Sequence, residues 1–209
     1  IIYIAITLIE VVLLLLGGMN LFESLVHAFG TAGTGGFGVK NDSIASYNSY
    51  LQWVLTIFML LFGVNFNLYY FILIKKAKVA LKSTELWFYL GIIAFSTICV
   101  SANIFPIYET LGTSIKHAAF QVAAFVTTTG YGTATVNDWP IFSKTLLFLL
   151  MFVGGCAGST AGGFKLARVM MLLKNGKREL QRLLHPRSVS VVRFEGKRVD
   201  DVTGNSVSA

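Results

Sequence analysis

The sequence predicts an all-α integral membrane protein built from a repeated unit, in which two transmembrane helices flank a re-entrant segment. Three observations support this fold class. The chain has 209 residues, of which 55% are hydrophobic and only 13% are charged, and a soluble core would not need so apolar a composition. Four stretches are long and apolar enough to cross a bilayer as helices, which takes about 20 residues each. One short glycine-rich pattern also occurs twice between these stretches.

The predicted spans define two copies of the unit. Each copy runs from an apolar helix through a short segment, a glycine-rich strand and a polar loop to a second apolar helix. The short segments, 22–31 and 114–125, cannot span, yet they must lie at membrane depth if the helices around them both cross. We therefore predict two half-helices, each directing the negative end of its dipole toward the following strand. The predicted spans are 1–19, 51–74, 86–105 and 141–173.

The glycine-rich strands have the composition of a potassium selectivity filter, so the predicted fold is K⁺-channel-like. They read Thr-Gly-Gly-Phe-Gly from Thr34 and Thr-Thr-Gly-Tyr-Gly from Thr128. Such filters replace the hydration shell of K⁺ with backbone carbonyl oxygens, and glycine permits the unusual backbone angles they need. We predict K⁺ binding here, with the two aromatic residues bracing the strands. The predicted filter residues are Thr34, Gly35, Gly36, Phe37, Thr128, Thr129, Gly130 and Tyr131.

The basic residues predict the orientation in the membrane. Four lysines crowd the short segment 75–84, and ten basic residues lie between Lys165 and Arg198. Cytoplasmic loops are enriched in lysine and arginine, so this loop and the tail 175–209 are predicted to be cytoplasmic, with both filter strands on the outer side. The net charge of +7 is then mostly a consequence of topology, and we predict no nucleic-acid partner. The localisation that follows is multi-pass in the plasma membrane, the inner membrane of the cell.

A second glycine-rich segment, 154–163, interrupts the last predicted span. As a continuous helix, 141–173 would be about 50 Å long, against a hydrocarbon core of about 30 Å. A broken backbone persists at membrane depth only where it is buried or lines a water-filled cavity, so a loop here is positioned to gate. The alternative is a ridge of small residues that packs two intact helices. The predicted gating residues are Gly154, Gly155, Gly158, Ser159, Thr160, Gly162, Gly163 and Lys165.

Taken together, these motifs resemble the TrkH/KtrB-type potassium uptake proteins, a superfamily of K⁺ transporters with four helix-pore-helix repeats. The resemblance covers nearly the whole chain and rests on HAFGTAGTGGFG at 27–38, TTTGYGT at 127–133, GGCAGSTAGGFK at 154–165 and VVRFEGK at 191–197. It implies that the domains 1–74 and 85–174 are the second and third repeats. The intramembrane loop would gate beneath the filter, and the tail 175–209 would lead to a further repeat.

The resemblance also carries expectations about assembly. Four strands must surround the ion, so either the chain is a fragment of a longer polypeptide, which we expect, or two copies form one pore. The implied partners are the lipid bilayer, a second copy of the full-length protein, and a cytosolic nucleotide-binding regulatory subunit docking on the basic tail. The transported K⁺ is the only ion implied, and no cofactor is expected.

Other function classes are less well supported by the sequence. Within one element we find no catalytic constellation and no metal-ligand spacing, so we predict that the chain is not an enzyme. The pattern G-x-G-x-x-G at 33–38 lacks the strand and helix that a dinucleotide site requires. Two alternatives stay open, namely a sodium-permeable or weakly selective transporter of the same family and a non-conducting membrane scaffold whose glycines only pack helices.

Overall fold

The computed structural model describes residues 1–184, 193–194 and 197–198, and most of this part of the chain is helical. Two two-residue strands, β1 (Arg193–Phe194) and β2 (Lys197–Arg198), pair antiparallel. The rest of the predicted tail beyond 184 lies outside the described residues. The helices are α1 (Ile2–Leu16), α2 (Leu21–Ala32), α3 (Ser49–Phe62), α4 (Phe66–Leu73), α5 (Ala77–Leu81), α6 (Thr84–Tyr108), α7 (Leu111–Val126), α8 (Ile141–Val153) and α9 (Leu166–Leu184), with a 3-10 turn at Val136–Asp138.

The helices follow the same order in two successive units. In the first unit α2 contacts both α1 and α3, and in the second α7 contacts both α6 and α8. Contacts between α3 and α7 join the two units. One cluster of buried apolar side chains, which includes Leu55 and Phe120, spans that junction, and a second, which includes Tyr89 and Leu147, fills the second unit. Side chains of both α2 and α7 belong to the first cluster, so both helices border the junction of the two units.

Helix starts are encoded by polar capping residues. The Asn20 side chain accepts a hydrogen bond from the Glu23 amide at 2.8 Å, and the Asn48 side chain accepts one from the Leu51 amide at 2.9 Å. Such caps satisfy amides that have no partner within the helix. Asn20 thus fixes where the first short helix begins, only four residues after α1 ends at Leu16.

The prediction of one continuous helix over 51–74 is wrong. The chain forms α3 and α4 instead, and their axes differ by 91°. The Asn65 side chain caps α4 by accepting a hydrogen bond from the Asn67 amide at 2.9 Å. The Gly63 carbonyl oxygen, released from helical pairing at the bend, accepts a hydrogen bond from the Cys156 amide at 2.9 Å. The second helix of the first unit is therefore broken, because distant backbone groups pair with the break.

The remaining elements differ from the predicted spans mainly at their ends. Among the described residues, α6 alone is a single helix long and apolar enough to cross a bilayer, and the bent pair α3–α4 passes the same test as one broken span. The apolar helices α1 and α8 are shorter. The segment 75–84, predicted as a loop, contains the short helix α5. The last span is interrupted between Val153 and Leu166, so α8 and α9 are separate helices.

Candidate ion-binding filter and adjacent loop

The two glycine-rich segments have the same backbone conformation. The φ angles are 51° at Thr34 and 69° at Gly36, and 57° and 87° at the corresponding Thr128 and Gly130. A left-handed conformation costs a residue such as threonine about 1–2 kcal/mol, and strain of this kind is concentrated at functional sites. The alternation of handedness also allows neighbouring carbonyl groups to depart from the strictly opposed directions of a β-strand.

Each segment is anchored to the half-helix before it by the same pair of hydrogen bonds. The carbonyl oxygen of Gly30, near the end of α2, accepts from the amides of Gly35 and Gly36 at 2.7 and 3.4 Å. Ala124, near the end of α7, accepts from the two corresponding amides of the second segment at 2.9 and 3.2 Å. The end of each helix, where backbone carbonyls carry the negative end of the dipole, thus lies directly beside its segment.

The two segments approach each other closely. A Cβ atom placed on Gly36 would overlap the carbonyl oxygen of Thr129 and lie 2.9 Å from its carbonyl carbon. Only glycine permits this approach, and its positive φ adds a second reason for the residue. The loop after the first segment also joins the second segment, since the Ile44 amide donates to the Gly132 carbonyl at 3.0 Å and the Gly132 amide donates to Ser43 Oγ at 3.2 Å.

Three backbone carbonyl oxygens in each segment accept no hydrogen bond from the described residues. Thr129 is buried and Thr34, Gly36 and Thr128 are half-buried, and because carbonyls in such positions are normally paired, unpaired ones are potential ion ligands. Such oxygens are the ligands that K⁺ filters use. Within the part of the chain that the structure describes, no hydrogen bond is accepted by the carbonyl oxygens of Thr34, Gly35, Gly36, Thr128, Thr129 or Gly130.

The two aromatic residues of the segments have different environments. Tyr131 is 1% exposed, and its hydroxyl donates a hydrogen bond to the His27 carbonyl on α2 at 3.1 Å. The Tyr131 ring also meets the His27 ring edge-on at 5.7 Å between centroids. Phe37, by contrast, is 80% exposed. In the described part of the chain, Tyr131 therefore braces its segment against the half-helix of the other unit, whereas Phe37 does not brace its own.

Polar side chains also cluster around α2. His27 Nε2 is 3.3 Å from the Tyr47 hydroxyl. Burial, followed by the nearby Glu23 carboxylate, raises the pKa of Tyr47, so this side chain stays a neutral phenol. Glu10, on α1, is fully buried, and among the described residues neither of its carboxylate oxygens has a hydrogen-bond partner. The second histidine, His117, pairs through Nδ1 with Thr133 Oγ1 at 3.0 Å. Both histidines support the surroundings of the segments.

The segment between α8 and α9 forms a compact loop. Its neck is closed by Gly154 and Gly163, which have φ angles of 71° and 77°, and a Cβ atom on Gly163 would lie 2.7 Å from Gly154 Cα. The Gly155 carbonyl accepts a hydrogen bond from the Leu166 amide at 2.9 Å. The two ends of the loop are therefore in contact, next to the end of α8 and the start of α9.

This loop fills the break in the first unit. The Thr160 amide donates to the Phe62 carbonyl at 3.3 Å, and the Gly158 carbonyl accepts from the Phe66 amide at 3.2 Å. Together with the bond to Gly63, these contacts pair backbone groups at both helix breaks. Irregular backbone at membrane depth requires internal pairing of this kind.

The loop also contacts both filter segments. Thr34 Oγ1 donates a hydrogen bond to the Thr160 carbonyl at 3.3 Å, and Thr128 Oγ1 accepts one from the Gly162 amide at 2.8 Å. The structure thus brings the predicted filter and gating residues together. Gly158 lies instead beside Asn65 at the bend. A Cβ atom added to Gly158 would lie 3.1 Å from Asn65 Oδ1.

Two charged residues also hold the loop. Glu85 Oε1, at the start of α6, accepts a hydrogen bond from the Ala157 amide at 2.6 Å. Lys165 Nζ turns back and donates to the carbonyls of Ser159, at 3.3 Å, and Ala161. Lys165 was predicted from the sequence, but Glu85 was missed, although an acidic residue in the first turn of an apolar span is a signal that could have identified it.

Comparisons with known proteins place these features in context. The family model described as TrkH, cation transport protein, matches residues 1–95 and 71–206. The chain is 33% identical to the Trk system potassium uptake protein TrkH of Salmonella typhimurium (strain LT2) over 204 residues, which are 96% of this chain and 42% of that protein. It is 36% identical over 196 residues to the Trk system potassium uptake protein TrkG of Escherichia coli (strain K12), covering 92% of this chain and 40% of that protein.

A solved structure extends the comparison to three dimensions. The crystal structure of the potassium transporter TrkH from Vibrio parahaemolyticus aligns with a TM-score of 0.93 and 30% sequence identity, covering 99% of this chain and 46% of that chain. The chain therefore spans less than half the length of the relatives it matches. These relatives are membrane transporters, and they are named for potassium uptake rather than for a catalysed reaction.

Proposed function

Because this chain belongs to the TrkH family of cation transport proteins, we propose that it forms part of a pore through which K⁺ is taken up across the plasma membrane. The proposal rests above all on the two matched segments and their unpaired carbonyl oxygens. In this proposal K⁺ exchanges its water shell for those oxygens. Thr34 to Gly36 and Thr128 to Gly130 supply two sides of the filter, and other strands of the intact protein supply the rest.

The half-helices would contribute selectivity for cations. Each ends beside its filter segment, so that the negative ends of two helix dipoles converge on the ion. No formal charge is needed in the filter, and the six residues of the two carbonyl sets carry none. The contact of Gly36 with Thr129 supports a shared site, since it holds the two segments within van der Waals distance.

We assign gating to the loop 154–165. It touches both filter segments and fills the break between α3 and α4, so any movement of the loop changes the space beside the filter. The basic loop 75–84 and the basic residues after Lys165 would face the cytoplasm in a multi-pass arrangement. A dimer of the intact protein and a nucleotide-binding regulatory subunit that contacts the tail remain part of the proposal.

The test is ⁸⁶Rb⁺ uptake into proteoliposomes that contain the intact protein, with competition by excess K⁺ or Na⁺. The variant Gly130→Ser places a side chain at a position with a φ of 87°, where it would strain the filter. The matched control is Gly112→Ser, because Gly112 has neither a positive φ nor any atom within 4 Å of an added Cβ.

Three outcomes are distinguishable. Uptake that K⁺ blocks and Na⁺ does not, weakened or made unselective by Gly130→Ser but not by Gly112→Ser, supports a K⁺ filter. Equal competition by Na⁺ in the unmodified protein favours the sodium-permeable alternative. Absence of uptake from correctly assembled protein, with regulatory conditions varied, favours a non-conducting scaffold and refutes the proposal.

A further inference from the structure

The hydroxyl groups of the two filter threonines face the loop. Thr34 and Thr128 occupy equivalent positions in the two segments, and each is half-buried. Thr34 Oγ1 donates to a loop carbonyl, that of Thr160, and Thr128 Oγ1 accepts from a loop amide, that of Gly162. The two bonds run in opposite directions. The loop is therefore held to one filter segment as an acceptor and to the other as a donor.

The Thr128 hydroxyl makes two hydrogen bonds, one as donor and one as acceptor, and its oxygen has one further lone pair. Its proton is directed to the Thr127 carbonyl at 2.7 Å, while its oxygen accepts from the Gly162 amide at 2.8 Å. A hydroxyl offers one donor and two lone pairs. A cation that approaches this oxygen therefore competes electrostatically with the positive end of the Gly162 N–H dipole.

We propose that the threonine side chains of the filter are a latch for the loop, so that ion occupancy of the filter and release of the loop are coupled. This inference rests on the proposed function, because it assumes that K⁺ enters the filter. With the loop bound, the Thr34 and Thr128 hydroxyls are directed at loop backbone. An ion drawn to the threonine end of the filter weakens the bond that Thr128 accepts from the loop, and a released loop returns that hydroxyl to the ion. Linkage requires the effect to be reciprocal.

The first arm of the test breaks the Thr128 bond from each side. Thr128→Val removes the acceptor, and Thr128→Ser keeps it as the matched control. Gly162→Ala attacks the same bond without altering the filter, because its Cβ would lie 2.6 Å from Thr128 Oγ1. The readout is hydrogen–deuterium exchange of the loop amides in the intact protein, measured in choline chloride and in potassium chloride.

We expect Thr128→Val and Gly162→Ala each to speed exchange of the loop amides about fivefold in choline, which corresponds to the loss of one hydrogen bond of ordinary net strength. The double variant should exchange no faster than either single variant, because both changes remove the same bond. Thr34→Val should instead add to Thr128→Val, since it removes the other bond, and Thr34→Ser is its control.

The second arm tests the coupling to the ion. In the unmodified protein K⁺ should speed loop exchange relative to choline, and this K⁺ effect should shrink in Thr128→Val and Gly162→Ala. A loop whose exchange is unchanged by all three disruptive substitutions overturns the latch, and exchange that is speeded by them but indifferent to K⁺ overturns the coupling.

The proposed function is tested separately, by measuring ⁸⁶Rb⁺ uptake into proteoliposomes that contain the unmodified protein. Normal uptake with an unaltered loop in Thr128→Val refutes the latch and leaves the function standing. Faster loop exchange in Thr128→Val without any K⁺-selective uptake in the unmodified protein refutes the function and leaves the latch as a structural contact. The two failures therefore cannot be mistaken for each other.

Discussion

The contact between Gly30 and Tyr131 predicts a rescue by a second mutation. Gly30 lies within α2, and a Cβ atom there would overlap the Tyr131 hydroxyl oxygen. The next nearest atoms to that Cβ are Tyr131 Cζ at 3.3 Å and the Phe37 carbonyl oxygen at 3.5 Å. The hydroxyl is therefore the main obstacle to alanine at this position. Tyr131→Phe removes it and leaves a gap into which a methyl group fits after a small shift of the ring.

The expected magnitudes follow from three contributions. Alanine in place of glycine within a helix stabilises by about 0.5–1 kcal/mol, overpacking costs about 1–3 kcal/mol, and the Tyr131 hydrogen bond to the His27 carbonyl contributes about 1 kcal/mol. Gly30→Ala should thus destabilise by about 1–3 kcal/mol, since the clash displaces the hydroxyl and its bond. Tyr131→Phe should cost about 1 kcal/mol. The free energy of unfolding of the double variant should lie within about 0.5 kcal/mol of that of the unmodified protein, because the stabilisation of the helix by alanine offsets the lost hydrogen bond.

Thermal unfolding of the purified intact protein in detergent, together with ⁸⁶Rb⁺ uptake, measures the effect. We expect Gly30→Ala to lower the apparent melting temperature most and the double variant to recover most of the loss. Gly112→Ala controls for glycine replacement in a half-helix at a site with no neighbour within 4 Å. A double variant that melts lower than both single variants would refute the reasoning, because the two changes would then be additive rather than coupled.

Three further predictions concern the surroundings of the filter and can be checked by the same melting assay. Gly63→Ala should destabilise the protein by about 1–3 kcal/mol, because its Cβ would overlap the buried Tyr89 hydroxyl. Gly91→Ala is the control and should not destabilise it, because no atom lies within 4 Å of an added Cβ there. Equal effects of the two substitutions would contradict this prediction. Asn65→Ala should cost about 1 kcal/mol through loss of the α4 cap, and Asn65→Asp should restore most of it. Glu10→Gln should leave stability unchanged or raise it, because it removes an ionisable carboxyl that lacks a partner among the described residues; a clear loss of stability would reveal an unrecognised partner.

Much of the architecture was predictable because it depends on local signals. Apolar length indicates the spans, and the repeated Thr-x-Gly pattern indicates two equivalent segments. The left-handed Thr34 and Thr128 could not be read from composition, because threonine does not favour that conformation. The positive φ angles of Gly36 and Gly130, two residues after each threonine, are predictable, because glycine adopts such angles at little cost.

The break between α3 and α4 was not predictable in this way. A single glycine such as Gly63 is tolerated within a helix at a cost of about 1 kcal/mol, and proline is absent from this stretch. The bend exists because Cys156, Gly158 and Thr160, more than 90 residues later, supply backbone partners for it. Hydrogen bonds between such distant backbone groups leave no periodic signature. Glu85 differs, because its place in the first turn of an apolar span is visible in the sequence, although its partner, the Ala157 amide, is not.

The two helix breaks depend on each other. In the first unit the interruption is short and capped by Asn65, and in the second it is a longer loop whose backbone pairs with the first. The two units are therefore alike at their glycine-rich segments and complementary at their helix breaks. We expect the units to accept an exchange of their glycine-rich segments more readily than an exchange of their helix breaks.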